Sequence, residues 1–250
     1  MPGWLAAGWW GFIAGSALIM GALIGWFARV PAKVVAWVMA FGAGVLISAL
    51  AFDLVDEAER NGGILAVAIG FLGGAVAYVS ANAVLARFGA QHRKRSQGQQ
   101  PSEQEASGSG AAIAIGALLD GIPESVVLGV SLLSGKGVGV AVLAAVFISN
   151  LPEGLSSAAG MKQADRSARY VFGVWICIAV LSGFAAMLGY LLLDGASPFV
   201  VAVITAVAAG AILAMIADTM VPEAFSETHI LTGLITTFGF LTAFAIEQIS

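Results

Sequence analysis

Long apolar runs, each able to cross a membrane as a single helix, dominate this sequence. A helix needs about 20 apolar residues to span the hydrocarbon core of a bilayer. The segments that reach this length are 8–28, 33–54, 63–87, 111–133, 138–161, 168–193, 197–221 and 229–248. Only 10% of all residues are charged, whereas a soluble domain carries roughly a quarter. The sequence therefore predicts an all-α membrane protein with eight transmembrane helices.

The longest interruption of the apolar pattern is residues 91–110, which are rich in Gln, Ser, Gly and charged side chains. This composition, without hydrophobic periodicity, is typical of a disordered loop. We interpret residues 1–90 as spans one to three, 91–110 as a disordered cytoplasmic loop, and 111–250 as spans four to eight. All three parts belong to one integral membrane domain.

Basic residues are unequally shared between the two sides of the predicted bundle. Loops rich in Lys and Arg face the cytoplasm. If the N-terminus is outside, the inner loops hold Arg29, Lys33, Arg87, Arg93, Lys94, Arg95, Lys162, Arg166 and Arg169. Only Arg60 and Lys136 fall on the outer side. We therefore expect both termini on the outer face, and we expect the membrane to be the cell (inner) membrane of a prokaryote.

Two neighbouring spans carry the same short phrase, in which a proline precedes a glutamate at mid-membrane depth. The phrases are 119–125 and 148–154, with Pro123 and Pro152 before the glutamates. Carboxylates are costly in hydrocarbon, so acids at this depth indicate a functional site with a cation as partner. Proline also lacks the N–H that would bond the carbonyl four residues earlier, which leaves that oxygen available to a ligand or water.

The polar side chains of both phrases are our candidate metal ligands. Residues four apart share one face of a helix, so each phrase presents two polar groups in the same direction. The candidates are Asp120, Glu124, Ser149, Asn150 and Glu153. Such oxygen donors suit a divalent cation. Without a metal, the acid of one phrase could be explained by a position near the end or the start of a helix. This alternative explains two such phrases poorly.

Two further aspartates are candidates for a pathway that leads to and from this site. Asp53 ends span two on the outer side, and Asp218 ends span seven on the inner side. An interfacial position without a role in transport is an equally good interpretation of both residues.

The paired phrases resemble those of the ZIP (Zrt/Irt-like) family of divalent metal transporters. That family has eight spans, both termini outside, and a long inner loop between spans three and four. Its metal site uses a His-Asn-x-Pro-Glu-Gly phrase in span four and a similar phrase in span five. The resemblance extends to 41–48 in span two and to 217–225 after span seven, so it covers nearly the whole chain.

The sequence departs from the family pattern at four positions. Asp120 and Ser149 stand where histidines are usual, Gly121 replaces the first asparagine, and Ala186 occupies a position that often holds glutamate. The resemblance then implies a single-metal site. Without imidazole, we expect weaker discrimination between Zn²⁺ and Mn²⁺, Fe²⁺ or Cd²⁺.

The resemblance implies a secondary transporter that moves Zn²⁺ and other divalent transition metals into the cytoplasm. No Gly-x-x-x-x-Gly-Lys phosphate loop is present, so we expect no ATP-driven step. We expect no catalytic residues and no bound cofactor, and we expect the metal ion and the bilayer, but no nucleic acid, as partners. Two other functions stay open. One is a metal sensor without transport, and the other is an intramembrane hydrolase that uses Asp120 and Asp218, which leaves the Pro-Glu phrases unexplained.

Pairs of glycines four residues apart allow helices to approach closely. They occur in span one at Gly11/Gly15 and Gly21/Gly25, and in span three at Gly70/Gly74. We interpret them as packing positions within one bundle, with a homodimer interface as the less favoured alternative.

Overall fold

The computed structural model describes residues 1–88, 90, 93, 109–134 and 137–249, and all regular structure in these ranges is helical. The described residues form nine α-helices, in chain order α1 Gly3–Phe27, α2 Ala32–Ala49, α3 Asp56–Ala86, α4 Ser109–Ser131, α5 Val140–Gln163, α6 Ala168–Leu193, α7 Pro198–Met215, α8 Val221–Thr228 and α9 Ile230–Ile249. Short π-helical turns join α2 to α3 (Leu50–Val55) and α7 to α8 (Ile216–Met220). Of the predicted loop 91–110, only Arg93, Ser109 and Gly110 lie within the described residues.

Seven helical segments of the described chain are long and apolar enough to cross a membrane. One of them, Ala32–Ala86, has 55 residues and would be about 80 Å long if it were straight. It contains the second predicted span and all but the last residue of the third. Gly63 interrupts it with a φ of 72° and a ψ of 175°, a conformation that glycine adopts without strain.

Residues 56–62 lie between the second and third predicted spans, and they are helical and do not form the loop expected between two spans. No proline interrupts this stretch, and Arg60 lies 2.7 Å from Asp56, one turn earlier. Such pairs four residues apart support a helix. The backbone therefore leaves the helical conformation only at Gly63.

Glycines bring the helices of this single chain into close contact. In α1, a Cβ added at Gly11 would lie 2.6 Å from the Cβ of Ala186 on α6. In α3, a Cβ added at Gly70 would lie 2.7 Å from the Cβ of Ala206 on α7. The interpretation of these glycines as packing positions within one bundle is confirmed.

Helix α4 lies inside the bundle, in contact with α6 and α7 and also with α1, α3 and α5. The largest apolar cluster surrounds part of α4 with side chains from α2, α5 and α7, among them Leu46, Val146 and Ile212. The polar side chains of the α4 phrase, Asp120, Glu124 and Ser125, are therefore buried within the protein.

Candidate metal centre

All five predicted ligands are buried. At most 4% of the surface of any of them is exposed, and the set comprises Asp120 and Glu124 on α4 and Ser149, Asn150 and Glu153 on α5. Asp120 is the twelfth of the 23 residues of α4, so it lies roughly 17 Å along the axis from either helix end. Buried acids are rare and need compensation by a cation or by hydrogen bonds.

Helices α4 and α5 contact each other at the two Pro-Glu phrases. The Ser149 hydroxyl lies 3.5 Å from Oε1 of Glu124, and it also donates to the carbonyl of Val146 at 3.0 Å. A separation of 3.5 Å is at the long end of the range for a hydrogen bond. One predicted ligand from each helix thus faces the other across this contact.

Asn150 is oriented by α1. Its amide nitrogen donates to the backbone carbonyl of Ala14 at 3.1 Å. Because the amide carries its donors and its acceptor on separate atoms, this bond leaves the oxygen as the group that can face a cation.

Asp120 forms a bidentate ion pair with Arg93. Nη2 of Arg93 lies 2.7 Å from Oδ1 of Asp120, and Nε lies 2.9 Å from Oδ2. Only 1% of each side chain is exposed. Two parallel N–H···O bonds are the strongest arrangement available to arginine and a carboxylate. Both oxygens of Asp120 therefore accept hydrogen bonds from one cation.

Two residues of helix α3, Tyr78 and Asn82, join Asp120 and Arg93 in one polar cluster. Tyr78 donates to Oδ1 of Asp120 at 2.6 Å and accepts from Nη2 of Arg93 at 2.9 Å. Asn82, one turn further along α3, accepts from Nη1 of Arg93 at 2.9 Å. From the sequence, Arg93 is predicted only to be one basic residue of a loop, because nothing distinguishes it there from Lys94 and Arg95.

Within the described residues, no group of three or more His, Cys, Asp or Glu side chains is arranged to hold a metal ion. The ligand set predicted from the sequence therefore stays a prediction. Among its members, Asp120 binds Arg93, whereas Glu124 faces Ser149.

A void of about 10 Å³ borders Glu124 on its apolar side. Its other walls are aliphatic and include Leu46, Leu50, Val127 and Val146. This volume is roughly the minimum needed for one water molecule. Glu124 thus stands at the boundary between the polar cluster and the closely packed apolar core.

Ala186, where the family often has glutamate, is fully buried. It packs against Gly11 of α1 and against Gly129 of α4, where an added Cβ would collide with the carbonyl of Ala186. Three helices therefore meet at this point without space for a longer side chain.

Both candidate pathway aspartates lie on the π-helical turns. Asp53 belongs to Leu50–Val55, and Asp218 belongs to Ile216–Met220. Asp53 lies close enough to Glu247 for the charge of that carboxylate to act on it. Asp218 is exposed. Single π turns within helices are rare and are frequently found at functional sites.

Glu223 is a further buried acid, outside the ligand set predicted from the sequence. It is 8% exposed and lies in the first turn of α8. Pro222 precedes it, so its Pro-Glu pair repeats the signal used for α4 and α5. That shared pair could have added it to the candidates.

Long apolar helices with carboxylates buried between them define a polytopic membrane protein with an internal polar cluster. Residues 85–247, well over half of the chain, match the family model of the ZIP zinc transporter. The chain therefore belongs to the ZIP zinc transporter family. A search of curated proteins found no match. Membership in this family implies metal-ion transport, and ZIP proteins are transporters and not enzymes.

Proposed function

We propose that this chain is a secondary transporter that moves Zn²⁺ and other divalent transition metals into the cytoplasm through a site between α4 and α5. The contact between Glu124 and Ser149 carries this proposal. It joins the two Pro-Glu phrases in the buried interior of the bundle, and residues on both of these helices lie within the family match.

The metal would bind to oxygen atoms alone. Glu124 and Glu153 supply the charges, Ser149 and Asn150 supply neutral oxygens, and Asp120 lies one turn from Glu124 on the same face of α4. Two neighbouring carboxylates cannot both stay ionised in a medium of low dielectric constant. A bound divalent cation would compensate their charges. Carboxylate, amide and hydroxyl donors discriminate less sharply among transition metals than imidazole or thiolate do.

The packing around Ala186 supports a single metal ion. A second metal beside the first would require additional ligands, and α6 offers only a methyl group at this position. Gly11 packs against that methyl group, and Gly129 packs against the backbone of the same residue.

Two observations support eight spans with both termini outside. The segment Ala32–Ala86 is far longer than one crossing requires, and Gly63 breaks it near the boundary between the second and third predicted spans. Arg29 and Lys162, from two different predicted inner loops, line one surface cavity of about 530 Å³. Basic residues gathered at one end of a bundle favour a cytoplasmic location for that end. We propose the cell membrane of a prokaryote as the location and the boundaries 1–90, 91–110 and 111–250 for the parts of the domain.

Metal uptake by proteoliposomes tests this function. Purified protein should carry Zn²⁺, Mn²⁺, Fe²⁺ and Cd²⁺ into vesicles without nucleotide, and protein-free vesicles are the control. Binding of metal without any flux would favour the sensor. The hydrolase is less well supported, because Asp120 is buried against Arg93 and Asp218 is exposed, whereas an aspartyl dyad needs two adjacent carboxyl groups that share a proton.

A further inference from the structure

We infer that Arg93 is an internal cation that competes with the transported metal for Asp120. Asp120 joins the metal site only when the guanidinium has left it. This inference rests on the proposed function, because it assumes that metal enters the site formed by Glu124 and Glu153. It assigns to Arg93 a role in setting metal affinity.

The geometry of the ion pair makes metal and arginine alternatives. Nε and Nη2 of Arg93 bond to different oxygens of Asp120, at 2.9 Å and 2.7 Å, and the Tyr78 hydroxyl bonds to Oδ1 at 2.6 Å. A metal ligand must direct an oxygen lone pair at the ion. A carboxylate has about four lone-pair sites, and these bonds occupy three of them, so a metal on Asp120 would have to displace a bond or bind directly beside the guanidinium.

The positive charge of Arg93 also disfavours metal binding at this site. The charge of Glu153 acts on Arg93 and on Tyr78, so the guanidinium lies within the field of a second predicted ligand. Because the surroundings are buried, this interaction is weakly screened. While Arg93 is in place it lowers the net negative charge that a metal would meet, and it repels the metal directly.

The protein provides a fitted position for the arginine. Nη1 of Arg93 donates to Asn82 at 2.9 Å and to the carbonyl of Ala90 at 3.1 Å. Gly116, one turn before Asp120, leaves space for the aliphatic part of the side chain, because a Cβ added there would lie 2.6 Å from Cδ of Arg93. A side chain at position 116 should therefore displace the guanidinium without changing any charge.

Mn²⁺ binding to the purified full-length protein tests the competition, with free Mn²⁺ measured by electron paramagnetic resonance. Arg93→Gln should bind Mn²⁺ about tenfold more tightly than the wild type, a typical coupling between two binding events. Asp120→Asn combined with Arg93→Gln should lose this gain, and it removes both members of the buried pair together, so no uncompensated charge remains.

Gly116→Val should also tighten binding, although its charge is that of the wild type. Its matched control is Gly73→Val on α3, since a Cβ at Gly73 has no neighbour within 4 Å. Thermal unfolding of every variant identifies any that fails to fold. The double variant and Gly116→Val then provide independent tests if Arg93→Gln alone is unstable.

The outcomes separate this inference from the proposed function. Tighter binding in Arg93→Gln and Gly116→Val, dependent on Asp120, supports the competition. Unchanged or weaker binding in both folded variants overturns it, as does a gain that persists with Asp120→Asn. If Glu124→Gln with Glu153→Gln abolishes Mn²⁺ binding while the Arg93 variants behave like the wild type, only the inference fails. If that glutamate double variant binds Mn²⁺ normally, the proposed site itself fails.

Discussion

The hydroxyl of Ser149 on α5 lies 3.5 Å from a carboxylate oxygen of Glu124 on α4. Each residue belongs to a phrase in which proline interrupts the hydrogen bonding of its helix. Backbone and side-chain oxygens of both helices are therefore available in one buried region. We regard this contact as the centre of the proposed transport site.

Replacement of either site glutamate by glutamine should abolish uptake. Glu124→Gln and Glu153→Gln keep the size of the side chain but remove a charged ligand. We expect a loss larger than the roughly 10- to 100-fold cost of changing an outer-shell partner of a metal site. Uptake of Zn²⁺ by proteoliposomes measures it. Glu59→Gln, at an exposed position, is the matched control and should transport normally.

Glutamate at position 186 should destabilise the bundle. Ala186→Glu would place a longer, charged side chain at a fully buried position against Gly11, and overpacking alone typically costs about 1–3 kcal/mol. Thermal unfolding in detergent should show a lower midpoint for this variant. Ala28→Glu, at an exposed position after α1, should leave the midpoint unchanged. Equal stability of both variants would remove the packing argument for a single metal.

The sequence predicted the helical class, the burial of the Pro-Glu phrases and the family. These follow from apolar run length and from motifs that are contiguous in the chain. It did not predict the π-helical turns at Asp53 and Asp218, because they arise from tertiary packing of otherwise helical sequence. It also missed the pairing of Arg93 with Asp120 across 27 residues. The sequence of a basic loop does not show which of its arginines is buried. Only the three-dimensional positions of Tyr78, Asn82 and Gly116 distinguish Arg93 from its neighbours.

Cysteine labelling tests the proposed orientation. Cys177 is exposed on α6, so the experiment begins from a Cys177→Ala background. Single cysteines at Ser102 and Gly137 should then be accessible from opposite sides of the membrane, with Ser102 cytoplasmic. An impermeant reagent added outside intact cells should label position 137 alone. Labelling of position 102 from outside would reverse the orientation inferred from the basic residues.

Neutralisation of Asp53 tests the proposed outer pathway. Asparagine keeps the size and polarity of the side chain, so Asp53→Asn should fold normally. Loss of a focusing negative charge should raise the KM for metal by up to about tenfold without lowering the maximal rate. Uptake kinetics at low ionic strength measure this. Asp194→Asn, which is exposed after α6, should leave KM unchanged. Unaltered KM in Asp53→Asn would favour the interfacial interpretation of this residue.

The X-ray absorption spectrum of Zn²⁺ bound to the purified protein tests the carboxylate site most directly. Our account predicts a first shell made only of oxygen, with carboxylate distances of about 2.0–2.2 Å. This shell should disappear when Glu124→Gln and Glu153→Gln are combined. Imidazole nitrogen or sulfur in the first shell, or an unchanged spectrum in that double variant, would contradict a transport site built from the two Pro-Glu phrases.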